Sequence, residues 1–221
     1  RGRYLLEYDE LKKLHRELRD SHQEAFRISI HRALSWLKKS ELENDYDAKF
    51  IFLWISLNCA YSMDKHAYKN FGDETLRSHY FQTLLKYGND DIYEIIWKRF
   101  STEIRGILNN EFILNLFWVE IQTNSDHWKK KLSKEKIQVQ IALQDKSDTS
   151  YILTILFKRL YVLRNQLFHG GATWQGKLNR QQVNNGTELL RILVPLFIKI
   201  MMLNPAENWG SISYPPISDY N

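Results

Sequence analysis

The stretch Tyr151–Gly171, "YILTILFKRLYVLRNQLFHGG", decides the fold class. Leu153, Leu156, Leu160, Leu163 and Leu167 recur at alternating steps of three and four residues, the spacing that lines one face of an α-helix. A leucine seam of that length must be buried against other helices. The run then meets Arg164, and five residues later His169, followed at once by Gly170 and Gly171.

The same period governs the chain on both sides. Leu11, Leu14 and Leu18 form a stripe near the start, and Phe26, Ile30, Ala33 and Leu37 form a second one. Between them "SHQEAF" offers Ser21 as an N-cap with Glu24 three residues on, a capping-box spacing that either starts a new helix or sits within a longer one. Asp47 is the expected cap of the next segment, "AKFIFLWISLNCAYS", which is apolar on nearly every side and reads as a central helix. Further helices are expected over 74–87, from 92 to about 105 and from 107 to about 121, with Gly88 and, more weakly, Gly106 as breaks. "SDHWKKKLSKEKIQVQIAL" reads as a polar, basic surface helix. Val183, Thr187, Leu190, Val194, Phe197 and Met201 repeat the seam near the end, with Pro195 expected to kink that helix.

With nine Gly and four Pro in 221 residues, the chain lacks the punctuation of an all-β protein. Its seven Trp, twelve Tyr and eleven Phe allow a substantial core. The expected architecture is one all-α helical bundle over residues 1–221. Residues 1–20 form a helical extension, and 204–221 an extended Pro- and aromatic-rich tail pinned by Trp209 and Tyr214.

A net charge of +5 is mild, permitting a polyanionic partner without requiring one. The single Cys59 excludes an intramolecular disulfide and argues against a cysteine-rich zinc site. No apolar run is long enough to span a bilayer, and the first residues lack the apolar core of a signal peptide. The expectation is a soluble cytoplasmic protein, trimmed or incomplete at the end that begins with Arg1. No P-loop, dinucleotide fingerprint or nucleophile-elbow pattern occurs. Asp64, His66 and His127 have no recognised metal-ligand spacing, and His31 and His79 stand isolated in the sequence. Neither a metal nor another cofactor is expected. Ser56, Cys59 and Ser62 read as packing residues.

Arg164 and His169 are a sensible pair for cutting RNA without a metal. Histidine exchanges a proton near neutral pH, with the ribose 2′-OH or the leaving 5′-oxygen. The planar arginine fork fits the phosphate on which charge develops. Attack by the 2′-OH leaves a 2′,3′-cyclic phosphate and requires RNA. Asn165 is placed to orient the imidazole or hold a phosphate oxygen, and Gly170 and Gly171 let backbone approach a substrate. On an ideal helix, however, residues five apart diverge by about 140°. Convergence needs the helix to unwind at Phe168–His169 with a left-handed Gly170, or a second copy facing the first. A structural reading stands beside the catalytic one. An arginine beside a seam snorkels or pairs with a carboxylate, and a histidine and glycines close a helix end.

"RNQLFH" with its flanks, "RALSWLKKSELENDYDAKFIFLWISLNCAYS" and the closing "NPAENWG…YPP" resemble the HEPN superfamily (higher eukaryotes and prokaryotes nucleotide-binding), in particular its stand-alone bacterial members. The resemblance implies an all-α bundle with an R-x(4–6)-H motif near the end of a core helix. It implies metal-independent endoribonuclease activity in a homodimer, in phage defence, toxin–antitoxin pairs or RNA processing, with an antitoxin or regulatory protein as a further partner. Arg164 would hold the scissile phosphate, His169 act as acid or base, and Asn165 support them. Gly171 stands where nucleotidyltransferase-controlled members often carry tyrosine, so the resemblance does not extend to AMP transfer. Some members are inactive. The second reading is therefore a non-catalytic helical module binding RNA, a nucleotide or a protein partner. Lys177 and Arg180 are candidates for flanking phosphates, and Trp174 either stacks a base or, the favoured reading, packs its loop onto the bundle.

Overall fold

The computed structural model describes residues 6–61, 74–145, 148–210 and 212. The fold is all-α: nine α-helices and no strand occur among the described residues. They are α1 (Tyr8–Leu18), α2 (Glu24–Glu41), α3 (Tyr46–Ala60), α4 (Glu74–Glu94), α5 (Ser101–Asn109), α6 (Asn115–Ile121), α7 (His127–Asp145), α8 (Thr149–Phe168) and α9 (Arg180–Leu203). No helix among the described residues is long and apolar enough to cross a membrane. Two compact units divide the chain, Arg1–Asp73 with Leu190–Asn221, and Glu74–Leu189.

The first unit contains α1 to α3 and the later part of α9. The stripe predicted on α2 and the all-round apolar α3 form its core. Ile30, Ala33, Leu34, Leu37, Phe50, Leu53, Trp54 and Leu57 are almost fully buried, each large one contributing about 1.5–3 kcal/mol of apolar transfer. Ser56 acts as a packing residue whose hydroxyl donates to the Ala33 carbonyl at 2.7 Å, tying α3 to α2. Two cap expectations are corrected. Ser21 Oγ donates back to the Leu18 carbonyl, so its hydroxyl closes the end of α1 and a short 3-10 turn, and α2 starts at Glu24. The reciprocal capping box instead opens α1, between Glu7 and Glu10. Asp45, not Asp47, caps α3 by accepting from the Ala48 amide at 2.9 Å; Asp47 is buried within the first turn. The chain after α9 is held by Trp209, 4% exposed, whose indole donates to the Asn204 carbonyl. Ser62, Asp64, His66 and Tyr214 lie outside the described residues.

In the second unit α8 is the central element, packed by α4, α5 and α7. Leu153, Leu156, Leu160 and Leu163 are essentially inaccessible, as the seam requires, and Leu167 is half-buried. Gly88 breaks the helical backbone as expected (φ −126°, ψ 23°), so α4 consists of two helical segments meeting at a kink; the second runs to Glu94 before a single π-helical turn at Ile95–Arg99. Gly106 is not a break. It lies inside α5, and the chain turns at Phe100 and Asn110 instead. Asn110 has a reason to turn: its side chain accepts from the Phe112 amide and caps a 3-10 turn. Basic α7 still buries Leu132, Val139 and Ala142. Its Glu135 pairs at 2.6 Å with Arg159 of α8, a guanidinium 3% exposed. Burial pushes Arg159 below its ordinary range, and Glu135 opposes that shift. α9 runs through Pro195 as one helix, the proline removing one intrahelical donor.

Candidate functional site

Asp148 opens α8 by accepting from the Tyr151 amide at 2.9 Å, and the seam carries the helix to Phe168. At that point the helical backbone ends. His169 still donates its amide to the Asn165 carbonyl at 2.9 Å, but its own φ/ψ of −100°/16° leaves the helix. Gly170 takes φ +72°, the left-handed conformation that costs an L-residue steric strain and glycine almost none. The chain folds back so closely that a Cβ on Gly171 would lie 3.3 Å from Gln166 Cα, and the Ala172 amide donates to the Gln166 carbonyl. The helix therefore unwinds where the Gly-Gly pair stands, the first of the two geometries required for Arg164 and His169 to converge.

The two side chains meet the same aromatic ring. The Arg164 guanidinium carbon lies 4.4 Å from the centroid of Phe168, one helical turn on. The His169 imidazole packs edge-on to that ring at 6.1 Å between centroids, with an interplanar angle of 73°. Arg164 Nη1 donates to Asn165 Oδ1 at 3.0 Å, while its buried Nε makes no hydrogen bond. Asn165 thus steadies the arginine with its side chain and the histidine amide with its carbonyl. Arg164 and Asn165 are half-buried, whereas Phe168 and His169 are exposed. Arginine, aromatic ring and imidazole form an open, cationic ledge at the end of α8.

Phe168 was not singled out from the sequence, and neither was the polar ring that holds the following loop. Asn110 Nδ2 donates to Asn179 Oδ1 at 3.4 Å, and Asn179 Nδ2 to Gln166 Oε1 at 2.7 Å. Gln166 Nε2 donates to the Phe112 carbonyl at 2.6 Å, and the Phe112 amide donates to Asn110 Oδ1, closing the ring. Trp118 also donates to the Phe112 carbonyl. Asn179, 6% exposed, adopts φ +58°, so a buried amide holds the loop's far end in a left-handed turn. Amide residues scattered over three separate segments carry no periodic signal that would reveal such closure.

Between these anchors the loop presents its other candidates. Trp174 is 73% exposed, which corrects the expectation that it packs the loop onto the bundle. Lys177 is exposed, and Arg180 is half-buried with Nε donating to the Gly176 carbonyl at 3.2 Å. A cavity of about 450 Å³ lies instead at the opposite end of α8, lined by Leu85, Asn89, Asp90, Tyr93 and Asp148–Ser150. It is about 22 Å along the helix from Arg164, and its two carboxylates disfavour a phosphate. His127 contacts Ser125 and, at 3.8 Å, Glu120. His31 is not isolated: it accepts from Lys12 and lies beside His15. No family model, curated protein or solved structure matches this chain.

Proposed function

We propose that this chain is a HEPN-type, metal-independent endoribonuclease, with Arg164 binding the scissile phosphate and His169 exchanging the proton. The single observation that supports it is the shared contact of Arg164 and His169 with the exposed ring of Phe168 at an unwound helix end. There the guanidinium lies on one part of the ring and a solvent-exposed imidazole packs against its edge. In the reaction the ribose 2′-oxygen attacks phosphorus as its proton leaves, and the bond to the 5′-oxygen breaks with a proton delivered to it. The products are a 2′,3′-cyclic phosphate and a 5′-hydroxyl. Asn165 keeps the guanidinium in place, and in this reading Trp174 and Lys177, both exposed on the following loop, take a base and a flanking phosphate. A homodimer, an antitoxin or regulatory partner, a cytoplasmic location and a role in phage defence or a toxin–antitoxin pair belong to the same proposal through the family resemblance.

A second reading is favoured by the anchoring of Arg164. A guanidinium stacked on Phe168 and bonded to Asn165 suits a recognition surface for RNA, a nucleotide or a protein as well as a catalyst. Cleavage of a mixed RNA pool in EDTA separates the two readings. The nuclease yields 2′,3′-cyclic phosphate ends that disappear in Arg164→Ala and His169→Ala. RNA retained without cleavage by a folded protein, with native RNA extract added, assigns the binding module.

A further inference from the structure

In the first unit, α1 and α2 bring basic groups together without a carboxylate among the charges that act on them. Lys12 and His15 share a face of α1, three residues apart, and His31 faces them from α2. Lys12 Nζ donates to His31 Nδ1 at 3.3 Å, and the His15 and His31 rings lie 6.4 Å apart. His15 is 97% buried by its 3% exposure, yet neither ring nitrogen reaches a well-formed hydrogen-bond partner. Burying an imidazole N–H unpaired costs free energy that most proteins avoid.

The charges that shift these groups are of one sign. Burial, Arg16 and Arg19 lower the Lys12 pKa; burial and Lys12 lower that of His31. Burial, Lys12, His31 and His22 lower that of His15, and an approach to the Arg27 backbone, too poorly aligned to pair the ring fully, opposes them. Asp9, one turn before Lys12 on α1, is exposed, and two further acids are engaged. Glu10 accepts from the Glu7 amide, and Asp20 lies 3.6 Å from Arg19. His22 Nε2 donates to the Met202 carbonyl, leaving its buried Nδ1 unpaired.

We propose that this α1–α2 face is an anion site, taking a phosphate dianion between Lys12 and His31 with His15 beneath as a proton-accepting third group. The donor set fits. Lys12 spends one of its three N–H groups on His31, leaving two. A His31 that accepts at Nδ1 carries its proton on Nε2 and offers it as a donor. A dianion offsets more than one of the mutually repelling cations, which a single carboxylate does not. Binding draws a proton onto the histidines, so affinity for an anion that does not itself titrate rises as pH falls. Inorganic phosphate and the phosphomonoester end of a nucleotide share this chemistry. No residue of the site belongs to the proposed nuclease pair.

The test is a titration of the whole chain at constant ionic strength, following imidazole resonances by NMR. With inorganic phosphate, the His15 and His31 pKa values rise saturably by about one unit, the scale set by an opposite charge within contact distance. His127, outside both sites, does not move. Sulfate, dianionic throughout, binds more tightly as pH is lowered. Adenosine monophosphate acting where adenosine does not assigns the phosphomonoester; phosphate acting alone assigns the free anion. His31→Gln and Lys12→Met, both outside the core, lose the saturable response. Absence of a saturable shift in the low millimolar range, or an equal response in both variants, overturns the site.

Discussion

The guanidinium of Arg164 lies over the ring of Phe168, 4.4 Å from its centroid, rather than against His169. Phe168 in turn meets the His169 edge, so one exposed aromatic side chain couples the two ends of the R-x4-H pattern. A guanidinium held on a ring face loses less freedom on meeting phosphate than one in solvent.

Phe168→Leu removes that platform. The cation–π contact at an exposed position is worth about 0.5–1 kcal/mol, so RNA cleavage under single-turnover conditions falls about two- to fivefold. Because Phe168 is 55% exposed, the urea midpoint barely changes. Phe168→Trp restores the rate. A Leu variant as fast as the parent would remove Phe168 from the site.

Gly170 has room for a side chain, since a Cβ there meets nothing within 4 Å, but its φ of +72° does not suit one. Gly170→Ala therefore destabilises through backbone strain alone, by about 1–2 kcal/mol in urea unfolding. Asparagine, which tolerates the left-handed region, recovers part of that loss. Equal losses for Ala and Asn would point to a cause other than backbone conformation.

Gln166→Leu breaks the amide ring at its centre and leaves Asn179 Nδ2 without its acceptor in a buried position. The expected loss is about 1–3 kcal/mol. Amide hydrogen exchange reports where it falls: residues 172–179 exchange faster, while the α8 seam stays protected. Unchanged exchange in that loop would mean the ring does not hold it.

His15 gives the first unit an acid-sensitive limb. Burial first, then Lys12, His31 and His22, push its pKa from 6.5 to about 4. The unfolded chain takes up the proton more readily than the folded one. The contribution of neutral His15 is thus complete above pH 6.5, is lost as pH falls from 6.5 to about 4, and changes no further below. Its full span is about 3 kcal/mol. His15→Leu fills the same buried space without a titrating ring and flattens this limb in urea midpoints. An unaltered slope in that variant would assign the loss to another group.

Local spacing determined the helices and the end of the decisive one. Leu153 to Leu163 are buried because residues three and four apart face one way on any helix, and Gly170 turns left-handed because glycine alone does so without strain. Caps were less legible: Ser21 and Asp47 have the right chemistry for an N-cap, but Asp45 and the Glu7–Glu10 pair hold the positions where the chain actually turns. Only the tertiary structure placed Arg164 on Phe168, left Trp174 in solvent, joined Asn110, Gln166 and Asn179, and set His15 beside His31. The physical reason is distance along the chain. Asn110 and Asn179 are 69 residues apart, and Gln166 and Phe112 are 54 apart. Their hydrogen bonds are directional contacts between single atoms, and a periodic pattern records which face is buried without recording which atoms meet there.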